Sequence, residues 1–169
     1  MNELLLSVED FYIPIVLGIL VFFSLIEAIS GYLHRTQRNT GDWIQEAGGF
    51  FVLSLLIKPL IVGSFALIAS AVFPNVAGSW GSWSLLMALP VYLLTDDVLQ
   101  YWYHRSAHEY EFLWKLHRPH HQAEEMGFFI SYRNAGLYYI IMPNLWWVGF
   151  CLFMGLGQAV ALGLILKQL

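Results

Sequence analysis

The stretch Leu137–Leu166 carries no charged side chain, and between Ala47 and Thr95 the one charge is Lys58. Apolar runs of that length restrict the chain to structures whose surface meets lipid. A spanning helix needs about 20 predominantly apolar residues. Composition agrees: 12% of residues are charged and 58% hydrophobic, where a soluble domain carries about 25% charged residues. The reading is an all-α integral membrane protein, a single domain over residues 1–169 with about four hydrophobic helical segments. The aromatic share of 17% excludes disorder. A net charge of −4 gives no basic excess for nucleic acid. The lone cysteine, Cys151, sits among apolar neighbours and reads as a structural thiol.

The first apolar stretch is Phe11–Leu33, and its start lacks the positive region of a secretory signal, so it reads as a retained anchor. The second is Ala47–Phe73, interrupted by Lys58-Pro59, where a kink is expected. The third is roughly Ser84–Tyr103. The Pro/Gly/Ser loop between them carries Trp80 and Trp83, which suit a membrane interface. The run Leu137–Leu166 is about 45 Å long as a helix, too long for one ordinary span and too short for two. Gly155 and Gly157 predict a hairpin within it. Arg35 and Arg38 follow the first stretch, whereas Glu3, Glu9 and Asp10 precede it. The positive-inside rule then puts the N-terminus outside. The third span runs inward to meet Arg105, Lys115, Arg118 and Arg133, which makes the polar segment cytosolic. Glu27 and Lys58 are charges within spans, a pattern that defaults to function. The structural alternative is preferred here: Glu27 near a helix end, and Lys58 snorkelling or paired with it.

Ten of the 20 charged side chains lie between Asp96 and Arg133, and five of six histidines between His104 and His121. His104 and His108 are four apart, which on a helix puts both rings on one face. Asp97, seven residues earlier, projects from that face. It reads equally as a carboxylate that fixes an imidazole tautomer or as an interfacial hydrogen-bonding residue. His117, His120 and His121 again share a face. Pro119, tolerated in a first helical turn, predicts a helix that begins near His117 or Arg118. The electropositive start of that helix would favour neutral imidazoles, the metal-binding form. One HxxxH pair is weak evidence. HxxxH followed within nine residues by HxxHH is much stronger, because five crowded imidazoles are costly unless their lone pairs are used. Nitrogen ligands suit iron, zinc, copper or nickel. Five exceed one closed tetrahedral site, which favours a dinuclear centre. Glu124 and Glu125 read first as a solvated face and second as ligands, and His34 reads as an interfacial basic residue. Tyr101, Trp102, Tyr103, Phe112 and Trp114 read as packing groups.

HRSAH at 104–108 and LWKLHRPHH at 113–121, preceded by DDVLQYWYHR, resemble the fatty acid hydroxylase / sterol desaturase superfamily. The resemblance covers Asp96–Arg133 closely and the earlier spans in hydropathy alone. It implies a membrane enzyme with a cytosolic, histidine-ligated centre of two non-haem irons. Such an enzyme uses O2 as co-substrate and two electrons to hydroxylate or desaturate a lipid: a fatty acyl chain, a sterol or a related molecule. By motif, His104, His108, His117, His120 and His121 would be iron ligands, and Asp97 stands where members often have an acidic residue. The location implied is a multi-pass protein of the bacterial inner membrane or the endoplasmic reticulum. No Gly-rich dinucleotide fingerprint is present, so electrons would come from a separate donor. The family has a further HxxHH box after the next hydrophobic stretch, and no histidine follows His121. The expectation is therefore a C-terminally truncated member, inactive alone. The alternative is a non-enzymatic membrane metal binder or an inactive fragment. A haem protein would place histidines on facing helices within the bilayer, and a metal transporter would place ligands near mid-membrane. The oligomeric state is left open.

Overall fold

The computed structural model describes residues 18–19, 21–31, 39–123 and 128–167. Every regular element among them is helical. Residues 21–29 are helical, which covers the middle of the first expected span. Its beginning, its end, His34 and the charges used for its orientation lie outside the described residues, as do Glu124 and Glu125.

Helix α1, Thr40–Phe51, opens on a reciprocal cap. The Asn39 side chain accepts from the Asp42 N–H at 3.0 Å, and the Asp42 carboxylate accepts from the Asn39 N–H at 3.0 Å. Two otherwise orphaned donors are satisfied, and the acidic group sits at the positive end of the helix. The chain then widens into a π segment, Val52–Ile57, and continues as α2, Lys58–Val72. The interruption expected at Pro59 takes this form. Proline lacks an N–H, and its ring collides with the carbonyl four residues back in a regular helix. The wider turns step around that collision: the Lys58 N–H bonds to the Leu53 carbonyl, five residues back. The result is one continuous helical unit, Thr40–Val72, of 33 residues. It is long and apolar enough to cross a membrane, and 11% of its most apolar window is buried. Among the described residues, most of that window has little protein cover.

Helix α3, Leu85–Glu109, contains the third expected span. Its length suffices, but it is not among the helices apolar enough to cross a membrane. Asp96 and Asp97 end its apolar part. A single extended residue, Tyr110, separates it from α4, Glu111–His121. After a 3-10 turn at Phe128–Tyr132 come α5, Gly136–Ile140, then α6, Pro143–Phe153, and α7, Gly157–Leu166. Residues Gly136–Phe153 form the second unit that could span, by length and composition. The apolar run does turn back on itself, as its glycines predict. Gly155 adopts φ +90° between α6 and α7, a conformation that costs glycine little. A Cβ there would lie 3.1–3.2 Å from atoms of Gly78 and Gly81. That closeness lets the loop before α3 bond to the end of α6: Gly78 N–H to the Phe153 carbonyl and Trp80 N–H to the Met154 carbonyl, each 2.9 Å. Carbonyls left over at a helix end are thereby satisfied.

Helices α2, α3, α6 and α7 pack into one body. One apolar cluster gathers Tyr92, Val148, Cys151, Ala159 and Val160, so Cys151 is a buried packing residue. The other gathers Leu53, Ile57, Ile61, Tyr103, Ala107, Tyr138 and Leu145, and lies under the histidine segment. The buried Asp96 is held by Asn144, whose Nδ2 donates to its carbonyl and its carboxylate at 2.8 Å each, and by Lys167 from the end of α7.

Candidate metal centre

The single non-helical residue Tyr110 folds α4 back against α3, so the two histidine boxes face each other. His104 and His108 come from the last turns of α3, His117 and His121 from the last turns of α4. One ring nitrogen from each of the four lies within 4.8 Å of the others. His104 Nε2 and His108 Nε2 are 3.2 Å apart, and His117 Nε2 and His121 Nε2 are 3.0 Å apart. Ligand distances of about 2.0–2.1 Å place tetrahedral nitrogens roughly 3.3 Å from each other, so each of these two pairs has the spacing of ligands on one ion, and the four nitrogens together are close enough to hold a metal.

The tautomers support that fit. His117 Nδ1 lies 2.8 Å from Asn134 Oδ1. The Asn134 amide is oriented by its Nδ2, which donates to the Tyr139 hydroxyl at 3.2 Å, while that hydroxyl donates to the Ser131 carbonyl at 3.1 Å. An amide oxygen only accepts, so His117 Nδ1 carries the proton and Nε2 presents a lone pair to the cluster. His120 Nδ1 similarly donates to the Ile130 carbonyl at 3.0 Å, which leaves its own Nε2 as a lone pair. Burial, with neighbouring histidines, pushes His117 down to about 4 despite the Asn134 bond. Burial and adjacent imidazoles also lower His104 and His121. Neutral rings at neutral pH are the ligand form.

The helix boundary at the second box differs from expectation. Pro119 lies nine residues into α4, not in its first turn, and the histidines occupy the C-terminal end. The helix ends at His121, so the proline costs one late hydrogen bond rather than disrupting an interior. The dipole there favours cations, so burial and neighbouring histidines, not a helix start, keep His117 and His121 neutral.

The structure gathers four of the five candidate ligands. His120 stands outside the four-nitrogen set, its ring stacked on His117 with centroids 5.3 Å apart. Asp97 is exposed, and its carboxylate pairs with Lys167 Nζ at 2.9 Å rather than with an imidazole. The groups that orient the histidines are Asn134 and the Ile130 carbonyl, which spacing along the helix could not indicate. The segment carrying both is anchored by Arg133, which bonds Asp42 at 3.0 Å and the buried Glu46 at 3.2 Å. Tyr138 forms the floor, its ring stacked on His117 at 4.9 Å and 15°. The Tyr103 hydroxyl donates to the Tyr138 carbonyl at 2.6 Å. Trp114 flanks His108 and His121 at 5.4 and 5.5 Å, and among the described residues these two histidines are the exposed members of the set.

Residues 89–169 match the model of the fatty acid hydroxylase family. That region, which includes the five candidate histidines, is similar to this family, whose members are membrane-bound and use non-haem iron. No curated protein and no solved structure gave a match.

Proposed function

We propose that this chain is a membrane lipid hydroxylase or desaturase whose diiron centre is built on His104, His108, His117, His120 and His121. The observation that carries the reading is the convergence of four imidazole nitrogens within 4.8 Å inside the region that matches the family. Iron bound there supplies O2 activation and oxidation of an unactivated C–H bond. The protein's own part is positional. Asn134 and the Ile130 carbonyl hold His117 and His120 in the tautomers that free their Nε2 lone pairs. Tyr138 and the apolar cluster below it keep water from the buried side. The exposed side, at His108 and His121, is where a lipid and O2 would approach. The chain is read as multi-pass, with the histidines on the cytosolic face of a bacterial inner membrane or endoplasmic reticulum. Two electrons come from a separate donor protein.

A non-enzymatic metal-binding role draws support from one observation: four imidazole nitrogens converge within 4.8 Å, the number that one tetrahedral site needs. One experiment separates the two. The chain is purified in detergent, loaded with ferrous iron, and given a chemical reductant, O2 and a mixed membrane-lipid extract. The chain alone is expected to give none; oxygen-dependent lipid products, absent from the His104→Ala variant, are expected for the enzyme once a segment carrying the family's further HxxHH box is supplied with it. Tight metal retention without products, with that segment and a competent reductant present, contradicts it.

A further inference from the structure

A cavity of about 470 Å³ lies between α2, α6 and α7, within the range of about 300–1,000 Å³ common for small-molecule sites. Its wall includes Val62, Leu145, Val148 and Val160. Two polar side chains also line it: Ser54 and Lys58, one turn apart along the same continuous helical unit. The Lys58 ammonium makes no ion pair or hydrogen bond among the described residues, and Glu27 is not its partner. The cavity is distinct from the histidine centre. Leu145 belongs to its wall and also to the apolar cluster beneath His117.

An ammonium in an apolar, lipid-facing recess is expensive unless an anion meets it. We infer that this cavity binds a single-chain carboxylate amphiphile, its headgroup on Lys58 Nζ and Ser54 Oγ and its hydrocarbon chain along Val148 and Val160. A carboxylate offers two oxygens, one for each donor, and a pair with an ammonium is a strong charge-assisted bond. A phospholipid fits less well. Lys58 lies 18 residues from the start of the 33-residue unit, about 27 Å along it. A bilayer phosphate stays charged and would have to leave the headgroup layer to reach it, whereas a carboxylic acid can arrive protonated and ionise beside the ammonium. A volume of this size also takes one chain rather than two. The inference goes beyond the oxidative reading and does not depend on it.

The test is equilibrium binding of radiolabelled palmitate to the purified full chain in a neutral detergent, with iron content measured on the same samples. Wild type should bind saturably, one palmitate per chain. Lys58→Met should weaken binding at least about tenfold, Lys58→Arg should retain it, and Leu152→Trp, at the cavity's exposed edge, should block it. Hexadecanol, with the same chain and no charge, should compete at least about tenfold less well than palmitate. If Lys58→Met fails to fold, the hexadecanol comparison on wild type decides alone. Equal competition by hexadecanol, unaltered binding to folded Lys58→Met, stronger competition by phosphatidic acid, or no saturable binding because another segment of the chain fills the cavity would each overturn the inference. Unchanged iron in these variants, with palmitate binding lost, separates this site from the histidine centre.

Discussion

Asn134 Oδ1 sits 2.8 Å from His117 Nδ1, and it joins a loop residue to a buried imidazole 17 positions earlier. The bond fixes which nitrogen of His117 faces the other three rings. Replacing Asn134 with Ala removes the acceptor and lets the ring change tautomer. Loss of such a partner typically costs 10–100-fold in metal affinity. Competition against a chelator of known affinity should show that loss for Asn134→Ala and a much smaller change for Asn134→Asp, which keeps an acceptor. Equal affinities in wild type and Asn134→Ala would show that His117 is oriented by packing alone.

His120 is separable from the other four histidines because it lies outside the convergent set. His117→Ala removes a nitrogen from that set, and no neighbouring side chain supplies a replacement. It should abolish stable metal binding. His120→Ala should instead leave one ion per chain and remove only what a second ion contributes. Elemental analysis of both variants after gel filtration tests this. Equal metal loss in the two would mean that His120 belongs to the same ion.

Arg133 is expected to be the most sensitive position for stability. Its guanidinium lies 3.2 Å from the buried Glu46 carboxylate and 3.0 Å from Asp42, and so ties the Asn134 segment to α1. Breaking a buried pair from one side costs about 3–5 kcal/mol. Arg133→Met should therefore lower unfolding stability by that order, and Arg133→Met with Glu46→Gln should recover part of the loss. Denaturation monitored by tryptophan fluorescence in detergent gives the comparison. A single variant as stable as wild type would remove this network from the account.

Gly49 supports the same junction by being small. A Cβ there would collide with the Tyr132 carbonyl oxygen, a backbone atom. Gly49→Ala must push the 128–132 turn away from α1, and with it the Ile130 carbonyl that holds His120. Overpacking of this kind costs about 1–3 kcal/mol. Thermal unfolding should shift downward accordingly, whereas Gly63→Ala, where nothing lies within 4 Å, should change little.

The histidines were legible because their geometry is local. Spacings of four place two rings on one face wherever a helix forms, and both boxes did form helices. The orienting groups were not legible. Asn134 and Ile130 reach His117 and His120 through a loop, and no periodicity links those positions. Asp97 drew attention by its helical register, but register says nothing of Lys167, which arrives from 70 residues away and takes the carboxylate. Pro119 does not mark the helix start because this helix carries its proline two residues before its end, where one hydrogen bond is lost and few turns remain to be disrupted. The Lys58-Pro59 interruption was visible, but its outcome was a π segment that keeps the helix continuous. The glycine turn at 155 was readable because a positive φ needs a residue of that kind.

The central claim is that the two boxes together make an imidazole metal centre, and metal content with X-ray absorption on the purified chain tests it most directly. Wild type expressed with iron should retain non-haem iron through gel filtration, with a first shell of nitrogen and oxygen that includes imidazole, and the His104→Ala/His117→Ala double variant should retain none. Iron retained equally by the double variant, or a first shell without imidazole, would contradict the claim.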